Sequence, residues 1–415
     1  MPLQGPLVVI SEKPAGGLVA AFTKAGAFPV VEARWVDAVA AITSIQPVAV
    51  VISELDSVDP NVADAFGKQI ARAQTYVPVI AMVRENTSLT DGGALPIAFD
   101  APIERLIARL AAAMRVRELH AIVLRRVATL ALERETAPAL PKSDPLDDAT
   151  VLVLGRGRSY PTLSVSVGER VGVIGALSVE AAAKCLGARE IDGIVIGDGF
   201  SSKIIDAFLL VLAEDPRFRD LAVGVLGDGA VPAEMPYVVR ERDPVRLVER
   251  TLPLTRLHAF DARLKRMLKS LEYKGMLDPD TGLLNLKAFG EDLTRAIDQA
   301  GERGGGLSIA RFAFEGPVDR RTSMDAARVI SRLMRTVDFA CRQDDGSILT
   351  VFTATDLRAA HVVVRRLASV LKHTMLRLER DRPPPGPNVT LATLKSTDTM
   401  FTLMARVTPR TVAAE

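Results

Sequence analysis

Short runs of apolar, mostly β-branched residues alternate with helical patterns in the first part of this chain, and this alternation most constrains its fold. The apolar runs lie at residues 7–10, 48–52, 77–82 and 96–99, and the helical patterns lie at 16–26 and from 103 onward. Strands that are apolar on both faces are typical of parallel sheets covered by helices on either side. The pattern therefore predicts a doubly wound α/β domain.

Residues 149–250 repeat this plan. Further apolar runs lie at residues 151–154, 171–174, 193–196, 222–226 and 237–239. A period on the order of 140 residues indicates two copies of one domain, because solenoid repeats have much shorter periods. The sequence thus predicts two five-stranded parallel sheets in succession.

Both copies resemble the receiver domains of response regulators, which have a flavodoxin-like fold. That resemblance implies magnesium-binding carboxylates after the first strand, a phosphate-accepting aspartate at the end of the third, and a lysine after the fifth. The first copy has Ser11, Glu12, Ser53 and Ala101 at these positions, and the second has Gly155, Arg156, Gly197 and Asp243. Ser53 and Gly197 are therefore degenerate phospho-acceptor positions, and we expect a scaffold without the phosphorylation switch.

Three acids leave an alternative open. A slipped alignment would bring Glu54 or Asp56 to the acceptor position of the first copy, and Asp198 lies one residue beyond it in the second. For Asp198 we favour the role of a loop aspartate over that of a phosphate acceptor.

Two long helical patterns and a linker connect the predicted domains. Apolar residues recur at 106, 107, 110, 114, 119, 122, 127 and 130, so the first receiver-like domain ends in an extended helix directed toward a partner or the next domain. The Pro-rich residues 136–148 predict a linker. Apolar residues at 257, 260, 264, 267, 268 and 271 predict a connecting helix at 253–275. That helix is either a dimerising stalk or a helix packed on its own domain.

The last third carries the most specific motifs. It contains LDPDTGLLN at 277–285 and RTVDFACRQDDGSI at 335–348. The first resembles the D-x-L-T-G-L-x-N opening of GGDEF domains, the cyclases that join two GTP into cyclic di-GMP. The second resembles their R-x-x-D and G-G-[DE]-E-F run. The resemblance implies a GGDEF-type α+β domain and the PleD-like order of receiver, receiver and GGDEF domain.

The residues that would perform catalysis in such a domain are replaced. Ala310 and Phe312 match the family's D-x-D strand and cannot bind magnesium. The degenerate signature reads Asp344, Asp345, Gly346, Ser347 and Ile348, which loses both glycines that let the backbone approach a phosphate. The guanine-binding loop is shortened to residues 316–320, and residues 403–407 lack the K-x-x-G-R-N phosphate grip. We therefore expect no enzymatic activity and no metal site.

The family's inhibitory, product-binding site keeps its pattern. Arg335 and Asp338 hold the R-x-x-D spacing, and Arg366 matches the second arginine on the following helix. A guanidinium donates to phosphate or to the guanine O6/N7 edge, and an aspartate accepts from guanine N1 and N2. R-x-x-D also starts at Arg34, Arg189, Arg217, Arg240, Arg295 and Arg342, so only its register distinguishes Arg335. A surface ion pair without function is the alternative.

Composition limits the class of protein. The chain has 52 basic and 50 acidic residues, a net charge of +2 that gives no electrostatic reason to expect nucleic-acid binding. Cys185 and Cys341, in no metal-binding spacing, fit a reducing compartment. We find neither a run near the ~18 apolar residues of a membrane span nor a signal-peptide pattern. We expect a cytoplasmic protein without direct membrane insertion, recruited to a cell pole only by a partner.

These patterns predict domains at residues 1–135, 149–252 and 276–415. The resemblance implies a non-catalytic cyclic di-GMP receptor or adaptor that requires no cofactor. Its expected partners are cyclic di-GMP, proteins of the adaptor or protease–substrate type, and a second copy of the chain. Two alternatives stay open, a nucleotide-independent interaction scaffold and a weak diguanylate cyclase that works only with an intact partner.

Overall fold

The computed structural model describes residues 4–55, 58–84, 87, 93–133, 143–273, 275–303, 306–314, 320–335, 337–374 and 387–408. The chain divides into two compact units. The first comprises Met1–Thr136, Leu140–Cys185 and Ile191–Leu264, and the second comprises Ala137–Ala139, Leu186–Glu190 and Lys265–Glu415. Asp56, residues 136–142 of the predicted linker and residues 316–319 of the predicted guanine loop lie outside the described residues. The boundaries expected for three domains stay predictions.

The first unit begins with a five-stranded parallel sheet in the order β2-β1-β3-β4-β5, a flavodoxin-like order. Its strands are β1 (Gln4–Ile10), β2 (Phe28–Ala33), β3 (Ala49–Ile52), β4 (Val79–Val83) and β5 (Leu95–Ala98). Its helices are α1 (Gly16–Lys24), α2 (Ala38–Ile45), α3 (Pro60–Ala71) and α4 (Ile103–Glu133). The predicted α/β class is confirmed for this part of the chain.

Strand β2 is the element that the apolar runs did not predict. It lies at the edge of the sheet and pairs only with β1 among the described strands. Its residues are exposed or half-buried, whereas every residue of the central strand β3 is buried. An edge strand with solvent on one side lacks the continuous apolar run of an interior parallel strand.

A second five-stranded parallel sheet follows in the same unit, with the order β10-β9-β8-β6-β7 and therefore the same connectivity. Its strands are β6 (Thr150–Leu154), β7 (Gly172–Ala176), β8 (Gly193–Ile196), β9 (Ala222–Leu226) and β10 (Val238–Glu241). Its helices are α5 (Tyr160–Gly168), α6 (Val179–Ala188), α7 (Ser202–Glu214) and α8 (Pro244–Glu272). The predicted repeat of one α/β plan is confirmed.

Helix α8 is longer than the pattern predicted. The connecting helix expected at residues 253–275 forms its second half, so the expected boundary at residue 252 falls inside one continuous helix. The predicted apolar positions 257, 264, 267 and 271 are all buried within this chain. The two readings left open for this segment, a dimerising stalk and a helix packed on its own domain, both stay predictions.

The guanidinium of Arg109 joins the two sheets of the first unit. Arg109 lies on α4 and is 1% exposed. Its Nε donates to the carbonyl of Pro236 at 2.7 Å, its Nη2 donates to that of Val238 at 3.0 Å, and its Nη1 donates to that of Pro96. Pro96 belongs to β5 and Val238 to β10, so one side chain satisfies carbonyls at the edges of both sheets. The expectation that the extended helix is directed toward a partner or the next domain stays a prediction.

The second unit contains a four-stranded antiparallel sheet in the order β12-β13-β11-β14. Its strands are β11 (Leu307–Ala313), β12 (Phe339–Arg342), β13 (Ile348–Thr353) and β14 (Asn388–Thr393). Its helices are α9 (Leu286–Arg303), α10 (Arg320–Leu333), α11 (Leu357–Thr374) and α12 (Met400–Ala405). One core cluster includes residues of α10 and α11, and another includes residues of α9 and α12. This α+β arrangement agrees with the predicted class of the last third.

Replacing Arg109 tests this link between the sheets. In Arg109→Met the carbonyls of Pro96, Pro236 and Val238 lose their donor, and we expect the free energy of unfolding to fall by roughly 2–4 kcal/mol. Arg115→Met is the matched control on the same helix. Arg115 pairs with Asp220 at 2.9 Å, but both side chains are about half exposed, so its loss costs less than about 1 kcal/mol. Urea unfolding measures the free energy of unfolding of both variants. Equal losses of stability would contradict the role of Arg109 in joining the two sheets.

Candidate functional site

The hairpin between β12 and β13 contains residues 344–348, which the sequence analysis matched to the GGDEF signature. Its turn is closed by Gln343, whose N–H donates to the Ser347 carbonyl at 2.8 Å and whose carbonyl accepts from Gly346 at 3.0 Å. Gly346 has a φ of +79°, a conformation that favours glycine. Ile348 is fully buried at the start of β13. Gly346, at the third position of this signature, therefore stands where the turn requires a glycine.

Asp345 forms an ion pair with Arg311 on the neighbouring strand β11. The Nε of Arg311 also donates to Ser347 Oγ at 3.1 Å, and Ser347 donates its N–H and its hydroxyl to Asp345 at 2.9 and 2.6 Å. Partial burial raises the pKa of Asp345, but the bonds from Ser347 and Arg311 outweigh it and hold that pKa below its ordinary value. The Asp345 carboxylate is thus paired with a cation of β11, although both Asp344 and Asp345 are exposed.

Sequence reasoning missed Arg311. In a strand, successive side chains point to opposite faces, and this places Arg311 on the face opposite Ala310 and Phe312. Ala310 and Phe312 are fully buried in the core. The alternation of apolar residues around a single arginine was the available signal, but its partner Asp345 is 34 residues away in the sequence.

The described residues contain no group of three or more His, Cys, Asp or Glu side chains that could hold a metal ion. Ala310 and Phe312 offer no ligand atoms, and the Asp345 carboxylate is already engaged by Arg311. Magnesium prefers several oxygen ligands, mainly carboxylates and water. The chemistry of this described part of the site is therefore that of an ion pair.

Arg335 and Asp338 lie in the turn that leads into β12, with Thr336 between them outside the described residues. The N–H of Asp338 donates to the Arg335 carbonyl at 3.0 Å, which fixes the turn. The Asp338 carboxylate accepts from the N–H of Thr353 at 3.2 Å, and Thr353 Oγ1 donates to the Val337 carbonyl at 3.0 Å. The R-x-x-D turn is therefore held against the end of β13.

The two motif residues differ in exposure. The Arg335 side chain is exposed, whereas Asp338 is 9% exposed. Burial raises the pKa of the Asp338 carboxyl, and the Thr353 hydrogen bond and the nearby Arg335 guanidinium only partly oppose this. The ionised form of Asp338 is thus less stable here than in water, and further donors would stabilise it.

Arg366, the third predicted site residue, lies on α11 with its side chain exposed. Among the contacts of the described residues, none joins Arg366 to Arg335 or Asp338. The structure therefore brings two of the three predicted residues together. The grouping of Arg366 with them stays a prediction.

At the two positions predicted as degenerate phospho-acceptors in the first unit, the residues form local contacts. Ser53 ends β3 and is buried, and its hydroxyl donates to Ser11 Oγ at 2.7 Å. In the second sheet, Gly197 packs near Ser159. Asp198 accepts from the N–H groups of Arg158 and Ser159 at 3.0 and 3.1 Å, just before α5. These contacts fit the loop role that we favoured for Asp198.

Cys341 lies at the centre of β12, three residues after Asp338. It is fully buried, and burial raises the pKa of its thiol to about 12. Among the described residues, the only hydrogen bond to its Sγ comes from Gln343 Nε2 at 3.4 Å. The thiol is therefore protonated and inaccessible in the folded chain. Both cysteines of the chain are free.

No protein-family model and no curated protein matches this chain. Among solved structures, the coiled coil and GGDEF domain of DgcB from Caulobacter crescentus in complex with c-di-GMP is 20% identical, with 35% of this chain and 83% of that chain covered and a TM-score of 0.30. The FimX GGDEF domain from Pseudomonas aeruginosa is 19% identical, with 32% and 88% covered and a TM-score of 0.29. At such TM-scores these similarities decide neither fold nor function. Within the described residues, no helix combines the length and apolarity needed to cross a membrane.

The raised pKa of Asp338 predicts a pH-dependent stability. Asn keeps an acceptor for the Thr353 N–H but carries no charge, so Asp338→Asn should be more stable than the native chain at neutral pH. As pH falls toward the raised folded-state pKa, native Asp338 takes up its proton before the unfolded chain does, and the difference should shrink. Urea unfolding across a pH series measures this, with the exposed Asp344→Asn as control. A difference independent of pH would contradict the prediction.

Proposed function

We propose that this chain is a non-catalytic receptor for cyclic di-GMP of the response-regulator type, which uses the dinucleotide to control protein–protein interactions. In its order of two parallel α/β sheets followed by an antiparallel α+β part, the chain resembles PleD-type proteins and their degenerate, ligand-binding relative PopA. The ligand would bind Arg335, Asp338 and Arg366.

The R-x-x-D turn is the observation that supports this proposal most. Arg335 presents an exposed guanidinium beside Asp338, whose carboxylate is fixed by Thr353 but disfavoured by its own burial. A cyclic dinucleotide offers both complements, since its phosphates accept from a guanidinium and the guanine N1 and N2 groups donate to a carboxylate. The ligand would therefore relieve the cost of burying Asp338.

Arg366 supplies the second cation in this proposal. Its side chain is exposed on α11 and has no ion-pair partner among the described residues. A guanidinium at that position is available for a phosphate or a guanine edge without breaking an existing bond. In this proposal one ligand contacts Arg335 in the turn and Arg366 on α11.

The absence of catalysis is also part of the proposal. Two-metal chemistry on GTP needs carboxylates that bind the ions. Ala310 and Phe312 are core residues, and Asp345 is neutralised by Arg311. These replacements support a site in which GTP is not condensed.

A nucleotide-independent interaction scaffold is the second candidate, and two observations favour it. Asp338 already has a hydrogen-bond partner in Thr353, and no described contact joins Arg366 to the turn. Under this candidate the R-x-x-D motif would only stabilise the entry into β12.

Calorimetric titration of the full chain with cyclic di-GMP distinguishes these candidates. We expect saturable binding, and we expect Arg335→Ala to weaken it by about tenfold or more, because a charge-assisted contact to phosphate or guanine is lost. Arg366→Ala should have a similar effect. Arg295→Ala is the matched control, because Arg295 begins another R-x-x-D sequence on the exposed face of α9.

Three results would contradict the receptor proposal. Absence of binding heat would favour the scaffold, and equal weakening by Arg295→Ala and Arg335→Ala would remove the assigned site. Formation of cyclic di-GMP from GTP and magnesium, measured by chromatography, would overturn the non-catalytic assignment.

A further inference from the structure

A cleft rich in arginine lies between the two parallel sheets of the first unit and shares no residue with the R-x-x-D turn. It consists of two adjoining cavities of about 260 and 490 Å³ that share Val83, Ala98, Asp100, Arg240, Glu241 and Arg250. Val83, Ala98 and Glu241 of the lining lie at the carboxyl ends of β4, β5 and β10. Asp228 and Gly229 follow β9, whereas Val238 begins β10. Ligands of open α/β sheets bind at the carboxyl ends of their strands.

The charges that line this cleft are unbalanced. Six arginines contribute to it, namely Arg84, Arg105, Arg109, Arg240, Arg242 and Arg250, against three acids, Asp100, Asp228 and Glu241. Glu241 pairs with Arg250, and Asp228 pairs with Arg242 at 2.7 Å. Asp206, outside this lining, pairs with Arg240 at 3.1 Å. The cleft therefore carries an excess of positive charge.

That excess is concentrated at two arginines of α4. Arg105 donates to the Val238 carbonyl, and Arg109 donates to carbonyls only, so within the described residues neither has a carboxylate partner. Burial and the nearby Arg240 lower the pKa of Arg105 to about 10, and burial and Arg105 lower that of Arg109 to about 9. Neighbouring cations in a poorly hydrated place produce a strong positive potential, which a bound anion would relieve.

The cleft is also rigid at its centre. Arg240 donates from Nε to the Ala230 carbonyl at 3.0 Å and from Nη1 to the Asp228 carbonyl at 2.9 Å. Its guanidinium packs on Gly229, where an added Cβ would lie 2.6 Å from Nη1 and the φ is +147°. A glycine is thus required for Arg240 to occupy this place. A guanidinium held in advance loses little entropy when it binds a ligand.

The rim offers a flat surface beside these cations. The Arg84 guanidinium lies 4.2 Å from the centre of the Phe99 ring, and the Phe99 side chain is 38% exposed. Guanidinium planes and aromatic rings both stack on nucleobases. A ligand with a phosphate group and a planar ring system would contact both the cations of the cleft and the stacking surface at Arg84 and Phe99.

We propose that this cleft binds a phosphate-bearing ligand, with the phosphate near Arg105, Arg240 and Arg242. Planar guanidinium groups bind phosphate oxygens through paired hydrogen bonds, and the excess charge of the cleft matches a phosphate dianion. The phosphate belongs either to a nucleotide, whose base would stack at Arg84, or to a small phosphorylated metabolite without a base. This site is separate from the proposed cyclic di-GMP site and does not depend on it.

The cleft is tested by titration of the full chain that carries Arg335→Ala. In this variant we expect ligand binding at the R-x-x-D turn to be weakened, so the remaining binding reports on the cleft. Pyrophosphate and guanosine 5′-monophosphate serve as the two probes, at constant ionic strength set with sodium chloride. We expect saturable binding of at least one probe. Tighter binding of the nucleotide identifies the base-bearing class, and tighter binding of pyrophosphate identifies the class without a base.

Arg242→Gln is the main variant, since this side chain is 72% exposed and its replacement leaves the core intact. It should weaken binding by about tenfold. Arg84→Gln should weaken only the nucleotide. Arg217→Gln is the control, because Arg217 is equally exposed, pairs with Asp215 and lies outside the cleft. Thermal unfolding by circular dichroism verifies that each variant folds. No binding of either probe, or binding unchanged by Arg242→Gln, would overturn the proposal.

Discussion

The buried guanidinium of Arg109 is the interaction on which the architecture of the first unit depends. A cation without a carboxylate partner is unfavourable in a protein interior, and it is retained only where carbonyl groups satisfy its donors. Here those carbonyls come from Pro96 on one sheet and from Pro236 and Val238 on the other. Neither sheet alone supplies the full set, so burial of this side chain requires both sheets to be folded and in contact.

In the second unit, too, an arginine side chain satisfies polar groups of neighbouring elements. Arg311 neutralises Asp345 at the hairpin where the GGDEF pattern would place catalytic acids. Arg335 instead remains exposed beside a carboxylate whose ionisation is disfavoured. The same residue type thus forms an ion pair in one place and leaves a cation accessible in another. This contrast between Arg311 and Arg335 separates a structural ion pair from a candidate ligand site.

The sequence was most informative where burial is continuous. Interior strands such as β3 and β8 are apolar along their whole length, so their runs predicted both parallel sheets. The edge strand β2 has no such run, because Glu32 interrupts it. The continuity of α8 across residue 252 runs against the local signal, since Pro253 lies inside this helix and a proline usually ends or kinks one. The site was predictable as a motif, but partners such as Arg311 and Asp345 meet only through strand pairing. The position of Arg366 relative to Arg335 depends on side-chain geometry that spacing does not encode.

Cys341 has a consequence for observing the hairpin in solution. Its thiol is buried at the centre of β12, between the R-x-x-D turn and the degenerate signature, and it is protonated because burial raises its pKa to about 12. Alkylation of such a thiol requires the strand to separate transiently from its neighbours. We therefore expect alkylation of Cys341 to be slow, and its rate, resolved from that of the half-buried Cys185, reports how often the segment bearing Asp338 opens.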